Sequence, residues 1–289
     1  MASIYKSAVG QQRIRDWCVG QLQSWHVPHD CRVVVAHGVE THVVSAGGGD
    51  VTVVYLPGTN FNAASSLPLA EVMAGRYRVV LVDVPGQPGL SDGHRDAATG
   101  SKQWCGRWLD ELLAQVASGP VVVMGHSSGG AIAMSSTSPL IGGRLLVSTA
   151  GLRRLRISIP VLVAAGAWLV FPRPSTSVRL LRLMLAPDHQ ARPALVEWMT
   201  LVAEHCRSSG SPSSAPFRRS KTPTAVAVGA HDIFLPPAAL RSVVRERFGR
   251  ELTVVPGSGH LVVEEAPQEL MAVLDTVVED MTPDYPPAP

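Results

Sequence analysis

The chain has 289 residues, 46% of them hydrophobic and 17% charged, with a formal net charge of +2. That length accommodates one large α/β domain or two small ones, with apolar residues enough for a core. A near-neutral balance without a long Lys/Arg run gives no footprint for nucleic acid. Four cysteines with no CxxC pair suggest neither zinc nor a disulfide framework, and fit thiols in a reducing compartment.

Residues 4–25 carry helical periodicity, with Ile14, Trp17, Cys18, Leu22 and Trp25 on one side, and Pro28 stops it. Residues 1–30 are read as an N-terminal helical arm; the first nine lack the apolar stretch of a signal peptide. Two short strands, 31–36 and 40–46, flank His37-Gly38 and predict a hairpin. Strands at 51–56, 78–82, 121–124 and 144–148 then alternate with helices at 69–74, 102–117 and 131–136. These strands are continuous apolar runs, which implies burial on both faces and a parallel sheet joined by crossovers.

The rhythm breaks at Ala150. Residues 152–216 offer no convincing strand, only helical segments at 159–170, 177–185 and 193–206 parted by prolines, and a Ser/Pro/Gly-rich stretch at 208–216. Arg153, Arg154 and Arg156 read as a solvated helix face. The apolar run 157–171 is interrupted by Pro160 and falls short of the roughly 20 residues that span a bilayer. The expectation is a soluble cytoplasmic protein, with a greasy surface helix able to touch lipid. Alternation resumes with strands at 224–228 and 251–255 and helices at 238–248 and 267–278, before a Pro-rich flexible tail at 282–289. The expected architecture is α/β: a doubly wound, mostly parallel sheet formed by 31–151 and 217–281. A helical cap, 152–216, is inserted after the sixth strand.

The chemistry concentrates at Gly125-His126-Ser127-Ser128-Gly129, which follows an apolar strand with no spacer and precedes small helix-compatible residues. Strand, sharp turn and helix make this pentapeptide a nucleophile elbow. Gly89-Leu90-Ser91-Asp92-Gly93 has the same pattern, but it sits in a Pro/Gly loop with no helix at once behind it, so Ser91 reads as a loop residue. A serine hydroxyl needs a base, and the base needs a carboxylate to fix its tautomer. This elbow resembles that of the α/β-hydrolase family, and the resemblance implies that the partners follow in the order acid, then histidine. His260 lies in the loop after strand 251–255, whereas His205 falls on an insertion helix and His231 adjoins Asp232. Of the intervening acids, Asp188, Glu197 and Glu204 belong to the insertion, Glu246 to a surface helix and Glu251 to a strand start. Asp232 alone stands just past a strand's C-terminal end. The oxyanion of acyl transfer needs two backbone N–H donors. Ser128 would supply one, and Thr59, in the loop after strand 51–56, the other, with Asn60 as a side-chain contributor. The bland alternative for that loop is an ordinary Pro-Gly turn.

The ordered set Thr41-His42-Val43, Leu56-Pro57-Gly58-Thr59, Asp83-Val84-Pro85-Gly86 with Gly89-Leu90-Ser91, Gly125-His126-Ser127-Ser128-Gly129, Gly229-Ala230-His231-Asp232 and Gly259-His260 resembles the α/β-hydrolase family of the esterase, lipase and C–C hydrolase type. Pro57 departs from it, standing where the family usually has His before the oxyanion glycine. The resemblance implies acyl chemistry by Ser127, Asp232 and His260 on a carboxylic ester or related compound, without metal or organic cofactor. Relatives resembling haloalkane dehalogenases and epoxide hydrolases carry aspartate at the elbow. Asn60, Phe61, Trp168 and Met184 are the expected substrate contacts; the apolar residues of the cap either line a pocket or only pack it down. The partner is a small molecule, with no nucleic acid and no integral membrane association, and the state is monomer or homodimer. An acyltransferase, cyclase or C–C hydrolase, and a ligand-binding receptor or degenerate hydrolase, are the alternatives.

Overall fold

The computed structural model describes residues 2–95, 101–207 and 222–281. The stretch 208–216, the junction at 217 and the tail 282–289 lie outside the described residues. Eight strands form the central sheet: β1 (His29–Ala36), β2 (Val39–Ala46), β3 (Thr52–Leu56), β4 (Arg78–Val82), β5 (Val121–His126), β6 (Ile141–Val147), β7 (Thr224–Gly229) and β8 (Thr253–Val255). Their order across the sheet is β8-β7-β6-β5-β3-β4-β2-β1. β1 and β2 form an antiparallel hairpin, β2 also pairs antiparallel with β4, and the other pairs are parallel. His37 (φ 50°) and Gly38 (φ 77°) turn the hairpin with two positive φ angles, the geometry a two-residue connection favours.

Side-chain alternation along the central strands divides the core in two. Val53, Tyr55, Val79, Leu81, Val122 and Met124 join one buried cluster; Val54, Leu56, Val80, Val82, Val121 and Val123 join the other. Both faces are covered, so both residues of each alternating pair must be apolar, which produces the unbroken runs. The first face packs against α1 (Ala8–Ser24), α2 (Leu67–Ala74) and α9 (Pro267–Met281). The second packs against α3 (Lys102–Val116), α4 (Ser128–Ser135) and α8 (Pro237–Phe248). Ile14, Trp17, Cys18 and Leu22 of α1 are part of the first core cluster, so the N-terminal helix is packed down along its predicted apolar side.

Between β6 and β7 run α5 (Ile159–Val170), α6 (Pro174–Met184) and α7 (Pro193–His205). Each has proline in its first turn, where the missing N–H costs nothing. Arg153, Arg154 and Arg156 correct one expectation: they are exposed, but on non-helical chain ahead of α5 rather than on a helix face. Gly151, at φ 93°, turns the chain away, and the helix begins only beside Pro160. Trp17 of α1 and Trp198 of α7 pack with ring centroids 4.7 Å apart, and the Trp17 indole N–H donates to Glu197 Oε2 at 3.0 Å.

The chain passes from β3 outward to β4 and returns to place β5 on the other side of β3. The loops leaving the C-terminal ends of β3 and β5 therefore diverge at this switch point and leave a crevice between them, where open α/β sheets bind ligands.

Candidate active site

Ser127 occupies the turn between β5 and α4 with φ 49° and ψ −114°, a conformation costly for any residue with a side chain. The surroundings over-determine it: its N–H donates to Val147 O at 2.9 Å, and its carbonyl accepts from Ala150 N at 2.9 Å and Gly130 N at 3.1 Å. The flanking glycines are steric requirements. A Cβ on Gly129 would lie 2.1 Å from Leu56 O, and one on Gly125 would lie 2.6 Å from the Gly129 carbonyl carbon. Both obstacles are backbone and cannot rotate away.

His260 Nε2 lies 3.2 Å from Ser127 Oγ, and His260 Nδ1 lies 2.9 Å from Asp232 Oδ2. Asp232 is buried, and its Oδ1 accepts from the amides of Phe234 and Leu235, each at 2.9 Å. Burial pushes this carboxyl upward. The neighbouring His260 charge, its hydrogen bond and the Leu235 amide outweigh that push, and the pKa falls below the ordinary value. An ionised Asp232 accepts a hydrogen bond from Nδ1–H and so keeps the proton on that nitrogen, which leaves the Nε2 lone pair of the neutral ring facing the serine hydroxyl. This arrangement can take the serine proton as the oxygen attacks.

The loop carrying His260 is itself held. The His260 amide donates to Met184 O at 2.7 Å, and its carbonyl accepts from His126 Nε2 at 2.9 Å. A carbonyl can only accept, so His126 carries its proton on Nε2. Burial drives the His126 pKa down to about 3, with the nearby His260 adding to the effect, so its ring is neutral at neutral pH. Glu265 makes a second tie: its Oε1 accepts from Ala186 N at 2.6 Å and its Oε2 from Gly259 N at 2.8 Å.

Thr59, Asn60, Phe61, Trp168 and Met184, all anticipated from the sequence, line one cavity of about 190 Å³ with Ser127 and His260. The Thr59 hydroxyl donates to Ser128 Oγ at 3.0 Å and ties the β3 loop to the start of α4. The Ser128 amide, in the first turn of that helix, has no carbonyl partner within the helix. Asn60 holds a left-handed conformation (φ 68°), which asparagine tolerates. Its carbonyl accepts from the Trp198 indole at 2.7 Å and its amide donates to Gln87 Oε1 at 2.9 Å, so its backbone shapes the loop. Asp83 braces the same region, accepting from Ala63 N at 2.7 Å and Leu90 N at 2.8 Å. Ser91 is a loop residue, as read from the sequence: it donates to Asp83 O at 2.6 Å and accepts from His42 N at 2.7 Å. His205 ends α7, and His231 stands exposed.

Leu180 and Met199, two of the apolar cap residues that the sequence offered as a possible lining, also face the cavity, whereas sequence reasoning missed His126, Leu155 and Phe234. His126 was signalled by its place inside the pentapeptide, and Phe234 by standing two residues after Asp232. Leu155 comes from a loop whose facing no local pattern reveals.

The Alpha/beta hydrolase family model matches residues 33–273. The chain belongs to this family. No curated protein matches the sequence of this alpha/beta hydrolase. Its fold is similar to that of carboxylesterase CesB from Bacillus subtilis, with TM-score 0.78 and 15% identity over 94% of this chain and 99% of that one. It is also similar to the naproxen esterase (carboxylesterase NP) of Bacillus subtilis, with TM-score 0.77 and 17% identity over 94% and 99% of the two chains. N-acyl homoserine lactonase AidH in complex with N-hexanoyl homoserine aligns with TM-score 0.70 and 19% identity over 90% and 100%. At these identities the likeness concerns the fold. Among the described residues, no helix of this alpha/beta hydrolase is long and apolar enough to cross a membrane.

Proposed function

We propose that this alpha/beta hydrolase is a serine hydrolase that cleaves a carboxylic ester or related acyl bond of a hydrophobic small molecule. The observation carrying this reading is the continuous line from Ser127 Oγ to His260 to Asp232, at 3.2 and 2.9 Å, ending in an apolar-lined cavity. Ser127 attacks the acyl carbon while His260 Nε2 accepts its proton and Asp232 stabilises the imidazolium. The developing oxyanion is held by the amides of Ser128 and Thr59. His260 returns the proton to the leaving alcohol, and water, activated by the same imidazole, releases the acyl group from Ser127. The described part of residues 152–216 acts as a cap over the sheet, with Leu155, Trp168, Leu180, Met184 and Met199 contributing its share of the lining. A cavity of about 190 Å³ has roughly the space of a single aromatic ring with a short substituent, which favours small acyl or aryl groups.

The test is p-nitrophenyl ester turnover by chain length, together with fluorophosphonate labelling, in the wild type and in Ser127→Ala. Wild-type protein should label and prefer short esters, and Ser127→Ala should do neither. Labelling that persists in Ser127→Ala removes Ser127 as the nucleophile. Labelling of the wild type without turnover of any simple ester would favour acyl transfer to an acceptor other than water.

A further inference from the structure

α5 is apolar on both sides. Its inner stripe, Val161, Ala164 and Trp168, is buried, as expected of a helix packed on its neighbours. Its outer stripe should then be polar, yet Ile159, Leu162, Val163 and Val170 stand 77%, 59%, 51% and 67% exposed. Seven of the twelve large apolar side chains exposed among the described residues fall between Ile157 and Phe171. An apolar concentration of this kind marks an interaction surface.

The charge around it is equally uneven. From Gly151 to Pro187 the chain has six arginines (Arg153, Arg154, Arg156, Arg173, Arg179 and Arg182) and no lysine, aspartate or glutamate. That segment carries +6, so the remainder of a chain whose total is +2 carries −4. All six arginines are exposed; three precede α5 and Arg173 follows it, so cations flank the apolar stripe at both ends.

We propose that this face docks onto an anionic lipid surface. α5 lies in the plane of the interface, its outer stripe among the upper acyl chains and the arginines at the level of the lipid phosphates. With 12 residues the helix is about 18 Å long, suited to lying on a bilayer and too short to cross one. Charge decides the kind of partner. A second copy meeting this face symmetrically would bring two +6 segments together, which their repulsion opposes. An anionic lipid layer offers apolar depth and negative charge at the same time. Because Trp168 on the inner stripe lines the cavity with Ser127, docking holds that cavity about one helix diameter from lipid. Hydrophobic small molecules dissolved in the layer would then reach it directly.

Vesicle flotation of the full chain tests the docking, and it reads binding rather than turnover, so its failure is separable from failure of the hydrolase assignment. Wild-type protein should float with vesicles of phosphatidylcholine and phosphatidylglycerol, bind at least about tenfold less to phosphatidylcholine alone, and be released by high salt. The Leu162→Glu/Val170→Glu double variant should lose about tenfold or more of the binding, with unchanged melting temperature and unchanged turnover of a soluble short ester. Each arginine removed in Arg153→Gln/Arg154→Gln/Arg156→Gln should weaken binding by roughly fivefold. No flotation with anionic vesicles, or equal binding to neutral ones, overturns the proposal. So does binding that survives the Leu162/Val170 substitutions unchanged, which would mean that the arginines alone adsorb to the lipid phosphates and the apolar stripe inserts nowhere. A wild-type dimer that the Leu162/Val170 substitutions dissociate would assign it to a second copy.

Discussion

Replacing His126 by glutamine should flatten the acid limb of the stability curve. The folded chain refuses a proton on His126 until about pH 3, because the ring is buried and sits beside His260. The unfolded chain accepts that proton near pH 6.5. Above pH 6.5 the ring is neutral in both states and its contribution is fully present. As the pH falls from 6.5 toward 3, the unfolded state binds a proton that the folded state does not, and stability declines. At about 1.4 kcal/mol per pH unit, the loss between pH 6.5 and pH 4 is about 3 kcal/mol from this one group. Glutamine places an amide N–H where His126 Nε2 donates to the His260 carbonyl, so the loop keeps its tie without a titrating ring. At pH 7 the variant should be less stable by about 1 kcal/mol, from lost ring packing. Urea unfolding followed by tryptophan fluorescence, repeated from pH 7.5 to pH 4, gives both curves. Carboxylate protonation lowers both alike, so the difference isolates His126, and the two stabilities should converge or cross near pH 5–6. Curves that run parallel down to pH 4 would refute the assignment of His126 as a buried neutral ring.

Three further outcomes follow from the same geometry. Asp232→Asn presents a group that can no longer fix the His260 tautomer, and ester turnover should fall about 10³- to 10⁴-fold while circular dichroism stays unchanged. Gly129→Ala puts a methyl group against the backbone of Leu56 and Pro57, so β3 and the Thr59 loop must move. It should destabilise the fold by about 3 kcal/mol in chemical unfolding and lose most activity, whereas an unchanged unfolding midpoint would show that the strand yields freely. Glu265→Gln leaves one of the Ala186 and Gly259 amides facing a donor in a buried site, at a cost of about 2 kcal/mol. Its kcat for a soluble ester should drop more than its KM changes, because the displaced Gly259 adjoins His260; equal effects on both would mean that Glu265 only braces the fold.

Much of this molecule is legible in one dimension. The continuous apolar runs of β3, β4, β5 and β6 announce a sheet covered on both faces, and the break after Ala150 announces the helical insertion. The bond between local pattern and geometry is tightest at Gly125-His126-Ser127-Ser128-Gly129. There, the glycines can carry no Cβ and the turn admits little variation, so sequence alone distinguishes Ser127 from Ser91. The placement of Asp232 and His260 at one edge is legible because each stands in the loop that leaves the C-terminal end of a strand, and those ends share one edge in a parallel sheet. What lies across that edge depends on pairings far apart in sequence. Only tertiary structure brings Met184 against the His260 loop and Ala186 against Glu265, turns His126 toward the His260 carbonyl, and seats Trp198 on Asn60. It also decided which side of α5 is covered. The helix is apolar all round, so no periodicity could distinguish the stripe packed toward Ser127 from the stripe left facing outward.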